Sequence, residues 1–257
     1  MARPRLLLAA VLTVAAVLVP SAAFAAEPPT AQSFDGTPTV GAIFRGTLAD
    51  GHECSASVIA SPSRDLILTA AHCVSGSPAG WKFVPGYVEG RTPYGVWTVT
   101  SAYVDQRWQW SGDTRYDYAI LRVAPQRIHG RTKRIQDVTG ANLLGTAPHS
   151  GTVITDVAYN AGVDDQPITC TVPAYYTDGF PGFDCGDYQG GVSGSPLLFG
   201  TGKVRVVRGV IGGLHQGGCV DSTSYSAPFT TAVSALLVRA ATHRTPDVAG
   251  EPGSDGC

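Results

Sequence analysis

"GGVSGSPLL", Gly190 to Leu198, sets one serine between glycines and runs directly into a proline and an apolar pair. A plain linker could be as rich in glycine and serine, but it would not lead straight into Pro196, Leu197 and Leu198. A strand could use the leucines, yet the glycines before them would weaken it. What fits is a tight turn that presents Ser193 as a nucleophile, with backbone N–H groups left free to hold an anion.

Such a turn needs a scaffold, and the rest of the chain reads as short strands. Apolar or alternating runs recur at 39–44, 54–60, 66–71, 95–104 and 118–123, then at 151–159, 168–172, 196–199 and 203–213. Glycine, proline and aspartate punctuate them, the pattern of an all-β sandwich or barrel. Only 229–243 carries a helical stripe, with Val233, Leu236, Leu237 and Ala240 on one face. A polar stretch from about Ala124 to His149 separates the two groups of strands, which predicts two barrels with a cleft between them. The last stretch, 244–257, has the composition of a disordered tail.

The N-terminus bears on location. Arg3 and Arg5 precede an apolar stretch from Leu6 to Val19, and "SAAFA" follows with an A-x-A site at Ala23–Ala25. This is the pattern of a signal peptide over 1–25, giving an expected secreted, extracellular protein with no membrane attachment after cleavage. The mature part keeps 16 basic against 20 acidic side chains, a balance that argues against nucleic acid as a partner. Six cysteines without a C-x-x-C pair read as disulfides in an exported chain, with no metal site and no cofactor expected.

A second stretch gives Ser193 a partner. "LILTAAHCV", Leu66 to Val74, ends an apolar strand in small residues and then offers His72 beside Cys73. Cys54, 19 residues upstream in another strand, is a plausible disulfide partner for Cys73. "RYDYAILRV" places Asp117 at the start of a third apolar strand, 45 residues beyond His72, and Ser193 follows 76 residues later. A serine hydroxyl needs a base near neutral pH, and histidine is the side chain suited to it. Asp113 is a rival to Asp117 but sits in a loop-like "SGDTR". Ser195 is read as shaping the turn, and His52, His129, His149 and His243 as surface residues.

With T-A-A-H-C at Thr69–Cys73, D-Y-A-I-L at Asp117–Leu121 and G-V-S-G-S-P at Gly191–Pro196, the chain resembles the trypsin/chymotrypsin-like serine peptidases over roughly residues 38 to 243. The G-x-S-G-S-P form is similar to the bacterial glutamyl-endopeptidase branch. The resemblance implies two six-stranded antiparallel β-barrels, the first over 26–129 with His72 and Asp117, the second over 130–243 with Ser193 and a C-terminal α-helix. It implies a serine endopeptidase, expected as a monomer, acting on peptides or proteins through an acyl-enzyme. His72 would be the general base, Asp117 its orienting partner, and the N–H groups of Gly191 and Ser193 the oxyanion hole.

The resemblance leaves the substrate pocket open. Asp187 stands six residues before Ser193, where trypsin-like enzymes bind a basic side chain, though Tyr188 follows it and a surface role is equally suitable. Gly212 and Gly213 replace the family's serine–tryptophan pair in the backbone that clamps substrate, and His215 lies beyond them. Val192 replaces the aspartate that pairs with a newly cut N-terminus, so activation by that switch is not expected. Cys170–Cys185 would close a short loop, leaving Cys219 and Cys257 to pair or stay free; Cys185–Cys219 is the alternative. A catalytically silent binding protein of the same fold is the competing reading, opposed by the presence of all three triad residues. An α/β-hydrolase esterase fails because Ser195 breaks G-x-S-x-G and His72 comes first rather than last.

Overall fold

The computed structural model describes residues 27–162, 165–202 and 204–257, so the signal-peptide stretch 1–25 lies outside the described residues. The chain first lays down a two-residue strand, β1 (Gln32–Ser33). Six strands follow: β2 (Val40–Phe44), β3 (Cys54–Val58), β4 (Leu66–Thr69), β5 (Lys82–Pro85), β6 (Trp97–Val104) and β7 (Ala119–Val123). They close into an antiparallel barrel in the order β2-β3-β4-β7-β6-β5. β2, β3, β4 and β7 are buried along their whole length, which is why they read as near-continuous apolar runs. β5 is short and ends in proline, too brief a pattern to stand out in the sequence. Between β6 and β7 lies helix α1 (Gln106–Ser111), capped by the Asp105 side chain and ended by Gly112 in the left-handed region.

A small hairpin, β8 (Gln126–Ile128) and β9 (Arg131–Lys133), and helix α2 (Ile135–Thr139) carry the chain across. The second half contains β10 (Leu143–Leu144), β11 (Val153–Ala158), β12 (Ile168–Pro173), β13 (Tyr175–Thr177), β14 (Phe180–Asp184), β15 (Pro196–Phe199), β16 (Val206–Val210) and β17 (Thr223–Tyr225). Its strands form a six-stranded sheet, β1-β12-β11-β15-β16-β10, and a three-stranded one, β13-β14-β17, joined by the bridge Ile211–Ser226. Two details differ from the expected arrangement. The β10–β16 edge is parallel, and β1, assigned by sequence to the first barrel, pairs with β12 instead. Residues 30–33 thus belong to the second half, an exchange of chain that no local pattern announces.

The halves share a core. Val40, Phe44, Leu68 and Ile120 of the first barrel cluster with Tyr159, Leu198 and Val207 of the second half. Helix α3 (Thr231–Ala241) adds buried Val233, Leu236 and Ala240, and its N-terminus is capped by the Thr230 hydroxyl. His52, read from sequence as a surface residue, is buried in this region among the rings of Phe44, Tyr87 and Tyr159, with Nε2 2.8 Å from Asp165.

The expected disordered tail takes a defined path. Asp247 bridges Ala102 and its carboxylate accepts from Val104 N, while Arg239 pairs with it. Ala249 and Gly76 exchange both backbone hydrogen bonds, and Cys257 is joined to Cys219. The polar composition is real, but backbone pairing and a covalent bond hold what apolar burial could not. The other disulfides are Cys54–Cys73 and Cys170–Cys185, which settles the pairing against Cys185–Cys219.

Cys219 and Cys257 are exposed, whereas the sulfurs of the other four belong to buried residues. Access governs thiol–disulfide exchange. Graded treatment with dithiothreitol will therefore reduce Cys219–Cys257 first, read by differential alkylation and peptide mass mapping; earlier loss of either buried bridge would contradict the placement.

Candidate active site

The antiparallel register of the first barrel sets Thr69 of β4 opposite Ala119 of β7. The chain leaves β4 where it enters β7, so His72, three residues after Thr69, meets Asp117, two residues before Ala119. Asp117 Oδ1 accepts the His72 backbone N–H and Oδ2 lies 2.8 Å from His72 Nδ1. A third donor comes from the other half, the N–H of Gly213 to Oδ2 at 2.8 Å. The Asp117 side chain is fully buried and that of His72 is 10% exposed. A proton on Nδ1 shared with the carboxylate fixes the tautomer and leaves Nε2 as the basic nitrogen. The rival Asp113 has a different task, capping the turn Thr114–Tyr116 through the Arg115 N–H.

Ser193 is brought to this pair by backbone contacts. Its carbonyl accepts from Ser55 N of β3 at 2.8 Å, and the Gly191 carbonyl accepts from Ser55 Oγ at 3.1 Å. The Gly194 N–H donates to the Ile211 carbonyl. Gly194 has φ +82°, and a Cβ there would collide with Thr69 Oγ1 and the Ser55 carbonyl; glycine is required by both conformation and space. Gly191 has φ +102°, and its Cβ would collide with the Ala161 backbone. Among the described residues, the N–H groups of Gly191 and Ser193 have no acceptor. Among the described residues, Ser193 Oγ and His72 are likewise not hydrogen-bonded to each other.

A cavity of about 190 Å³ opens beside Ser193, its lining including Tyr188, Val192, Ile211, Gly218, Asp221 and Ser224. The pocket residues expected from the sequence fall unevenly around it. Gly213 binds Asp117 and Gly212 donates to the Tyr225 carbonyl, next to Ile211 on the cavity wall. Asp187 does not line the cavity: it is exposed, with φ +71° and its carboxylate 3.3 Å from Gln189 Nε2. His215 is also outside the lining, with Nδ1 3.1 Å from the Asp255 carbonyl of the tail. Left-handed backbone at Asp187 itself (φ +71°) and at His215 (φ +53°), in the glycine-rich loop after Gly213, sets these two side chains in a way invisible to residue counting. His215, Cys219 and Cys257 are the one grouping of metal-ligating residue types among the described residues, but the two sulfurs are bonded to each other and supply no thiolate.

Two supporting residues escaped the sequence reading. One is Ser55, whose N–H and hydroxyl hold both carbonyls of the nucleophile turn. The other is Asp156, fully buried on β11, whose carboxyl oxygens lie 3.0 and 2.9 Å from Ser195 Oγ and which faces the Tyr188 hydroxyl. Ser195 therefore does shape the turn, by tying it to β11. Burial pushes the Asp156 carboxyl from its ordinary 3.8 up to about 8, against the opposing pull of the Ser195 and Tyr188 hydroxyls.

Comparison with known proteins gives a consistent picture. Residues 54–207 match the trypsin-like peptidase domain family. No curated protein matches the chain. Among solved structures, the protease Anisep from Arthrobacter nicotinovorans is 25% identical with a TM-score of 0.69, covering 83% of this chain and 100% of its own. A thermostable serine protease from an extremophilic microorganism is 23% identical with a TM-score of 0.67, covering 81% of this chain and 99% of its own. A Glu endopeptidase is 18% identical with a TM-score of 0.62 over 84% of this chain and 98% of its own, a likeness of fold.

Asp156 makes a signed prediction. Its pKa is raised in the folded state, so between about 4 and about 8 the unfolded chain releases a proton that the folded chain keeps. That group therefore lowers stability as pH rises through this window, and its contribution levels off above the folded value. Asp156→Asn, which keeps an acceptor for Ser195, will flatten the fall in Tm between pH 4 and 8 relative to wild type; parallel curves would refute the assignment.

Proposed function

The chain belongs to the trypsin-like peptidase family, a group of serine peptidases, and from that premise we propose that it is a secreted endopeptidase working through His72, Asp117 and Ser193. The observation that carries this reading is the buried Asp117 carboxylate bonded to both His72 N and Nδ1, with the turn of Ser193 docked on Thr69 and Ser55 beside it. A structural ion pair would need neither the open cavity at Ser193 nor two free N–H groups on the same turn.

The chemistry follows from these groups. Ser193 Oγ attacks the carbonyl carbon of the peptide bond while His72 Nε2 takes its proton. The oxygen that becomes negative is held by the N–H groups of Gly191 and Ser193, and Asp117 stabilises the imidazolium. His72 then gives the proton to the leaving nitrogen, the C–N bond breaks and Ser193 is left esterified. Water, activated by the same histidine, attacks the ester and restores the serine. The cavity would receive the side chain preceding the cleaved bond. Among the described residues its lining holds no cation, and its one charged member is Asp221, so an acidic side chain is disfavoured there. The silent-binder reading is motivated by the replaced pocket residues Gly212 and Gly213, and the presence of His72, Asp117 and Ser193 argues against it.

Ser193→Ala will lower kcat by about 10⁶ and Asp117→Asn by about 10⁴ with the fold retained, as removing the nucleophile or reversing the tautomer does in such triads. A fluorophosphonate probe will label Ser193 in wild type and not in His72→Ala. Retained turnover in Ser193→Ala would reject the nucleophile. In a fluorogenic library, Asp187→Ala will leave the preference at the cleaved residue unchanged while Asp221→Ala alters it; the reverse would place the wrong aspartate in the cavity.

A further inference from the structure

The tail beyond α3 crosses from one half of the molecule to the other at the substrate cleft. On the first barrel, Ala249 pairs with Gly76, four residues after His72. Gln109 of α1 takes both sides of the next step, its Nε2 donating to the Val248 carbonyl and its Oε1 accepting from Gly250 N. On the second half, Gln216 Nε2 donates to the Gly253 carbonyl at 2.6 Å, and His215 Nδ1 lies 3.1 Å from the Asp255 carbonyl. Cys257 is then bonded to Cys219. Gln216 and Cys219 both line the cavity that opens at Ser193.

The crossing is short. Gly250 is held by α1 and Gly253 by the cavity wall, and three peptide units between them reach at most about 11 Å. The span therefore bridges the gap between the His72 side and the cavity side. It lands on His215 and Gln216, two and three residues after Gly213, and the resemblance puts the clamped substrate chain along the backbone at Gly212 and Gly213. The tail is thus fastened to two residues of the cavity wall, on the side where a substrate chain running past Gly213 would leave the cavity.

We infer that residues 249–257 form a strap that limits how many substrate residues fit on the acyl side of the cleaved bond, making the tail a determinant of specificity. The inference rests on the peptidase reading of the same site. Gln109 and Cys257 are separable from the site, since neither lines the cavity nor hydrogen-bonds Asp117, His72 or Ser193, whereas Gln216 and Cys219 belong to the cavity wall. The exposed Cys219–Cys257 bond makes the strap releasable by thiols without opening the buried bridges.

The test uses the full chain. Fluorogenic peptides with one to five residues on the acyl side are compared on wild type, on Cys219→Ser/Cys257→Ser and on Gln109→Ala, which removes two bonds to the tail without touching a cysteine or the cavity wall. Fluorophosphonate labelling of Ser193 is measured on each. Release is expected to raise kcat/KM for the four- and five-residue peptides roughly tenfold relative to the one-residue peptide, mostly through KM. Labelled variants whose length dependence equals that of wild type would overturn the strap alone. An unlabelled wild type would overturn the peptidase reading and the strap with it. Should the cysteine variant fail to label, the Gln109 variant still decides, because its disulfides and cavity wall are intact.

Discussion

A buried carboxylate with three N–H donors governs how this molecule is put together. Asp117 lies at zero exposure, and an ionised carboxyl in that position is tolerable only if hydrogen bonds replace its water. Two donors come from His72 in the first barrel and one from Gly213 in the second half. Neither half can satisfy the charge alone, so their docking and the formation of the site are one event. The same demand explains the glycine at 212: a Cβ there would sit 2.9 Å from Asp117 Oδ2, where it would exclude the approach of the neighbouring N–H.

The second anchor works through carbonyls. Ser55 ties the Gly191 and Ser193 carbonyls to β3, while among the described residues the N–H groups of Gly191 and Ser193 have no acceptor. Ser195 ties the far end of the turn to Asp156 on β11. The nucleophile turn is thus fastened on both flanks by side chains and left unsatisfied only at its centre, where an oxyanion would form. Placing Asp156 there has a cost in stability, since its carboxyl stays protonated well above its usual range. Among the described residues, the hydroxyls of Ser195 and Tyr188 face that carboxyl, and Cys170, its partner on β12, is locked in a disulfide.

What could be read from the sequence was what local pattern encodes. The long buried strands of the first barrel, β11, β12 and α3 announced themselves by apolar runs and a helical stripe, and three short motifs marked His72, Asp117 and Ser193. Contacts between distant segments left no such trace. Nothing around Gln32 signals pairing with Thr169, and "GHEC" gives no hint that His52 lies under three aromatic rings with Asp165, 113 residues away, at its Nε2. Asp187 was placed by counting back from Ser193, but a left-handed backbone at Asp187 itself turns the side chain outward and leaves Tyr188 on the cavity. Ser55 and Asp156 were invisible for a simpler reason: each looks like the polar member of an alternating strand until its partner is known.

The tail shows where composition misleads. Its residues bury little apolar surface, and by that measure it cannot repay the entropy of ordering its chain. The disulfide changes the balance by keeping its end near the cavity wall, so the backbone bonds at Ala249 and the side-chain bonds at Gly253 and Asp255 no longer have to close a long loop unaided. Order at the end of this segment is therefore backed by one exposed covalent bond in addition to those hydrogen bonds. A strap held by ordinary packing would be a permanent wall of the cleft; one whose end is pinned by an accessible disulfide is a wall whose hold follows the thiol conditions around the protein.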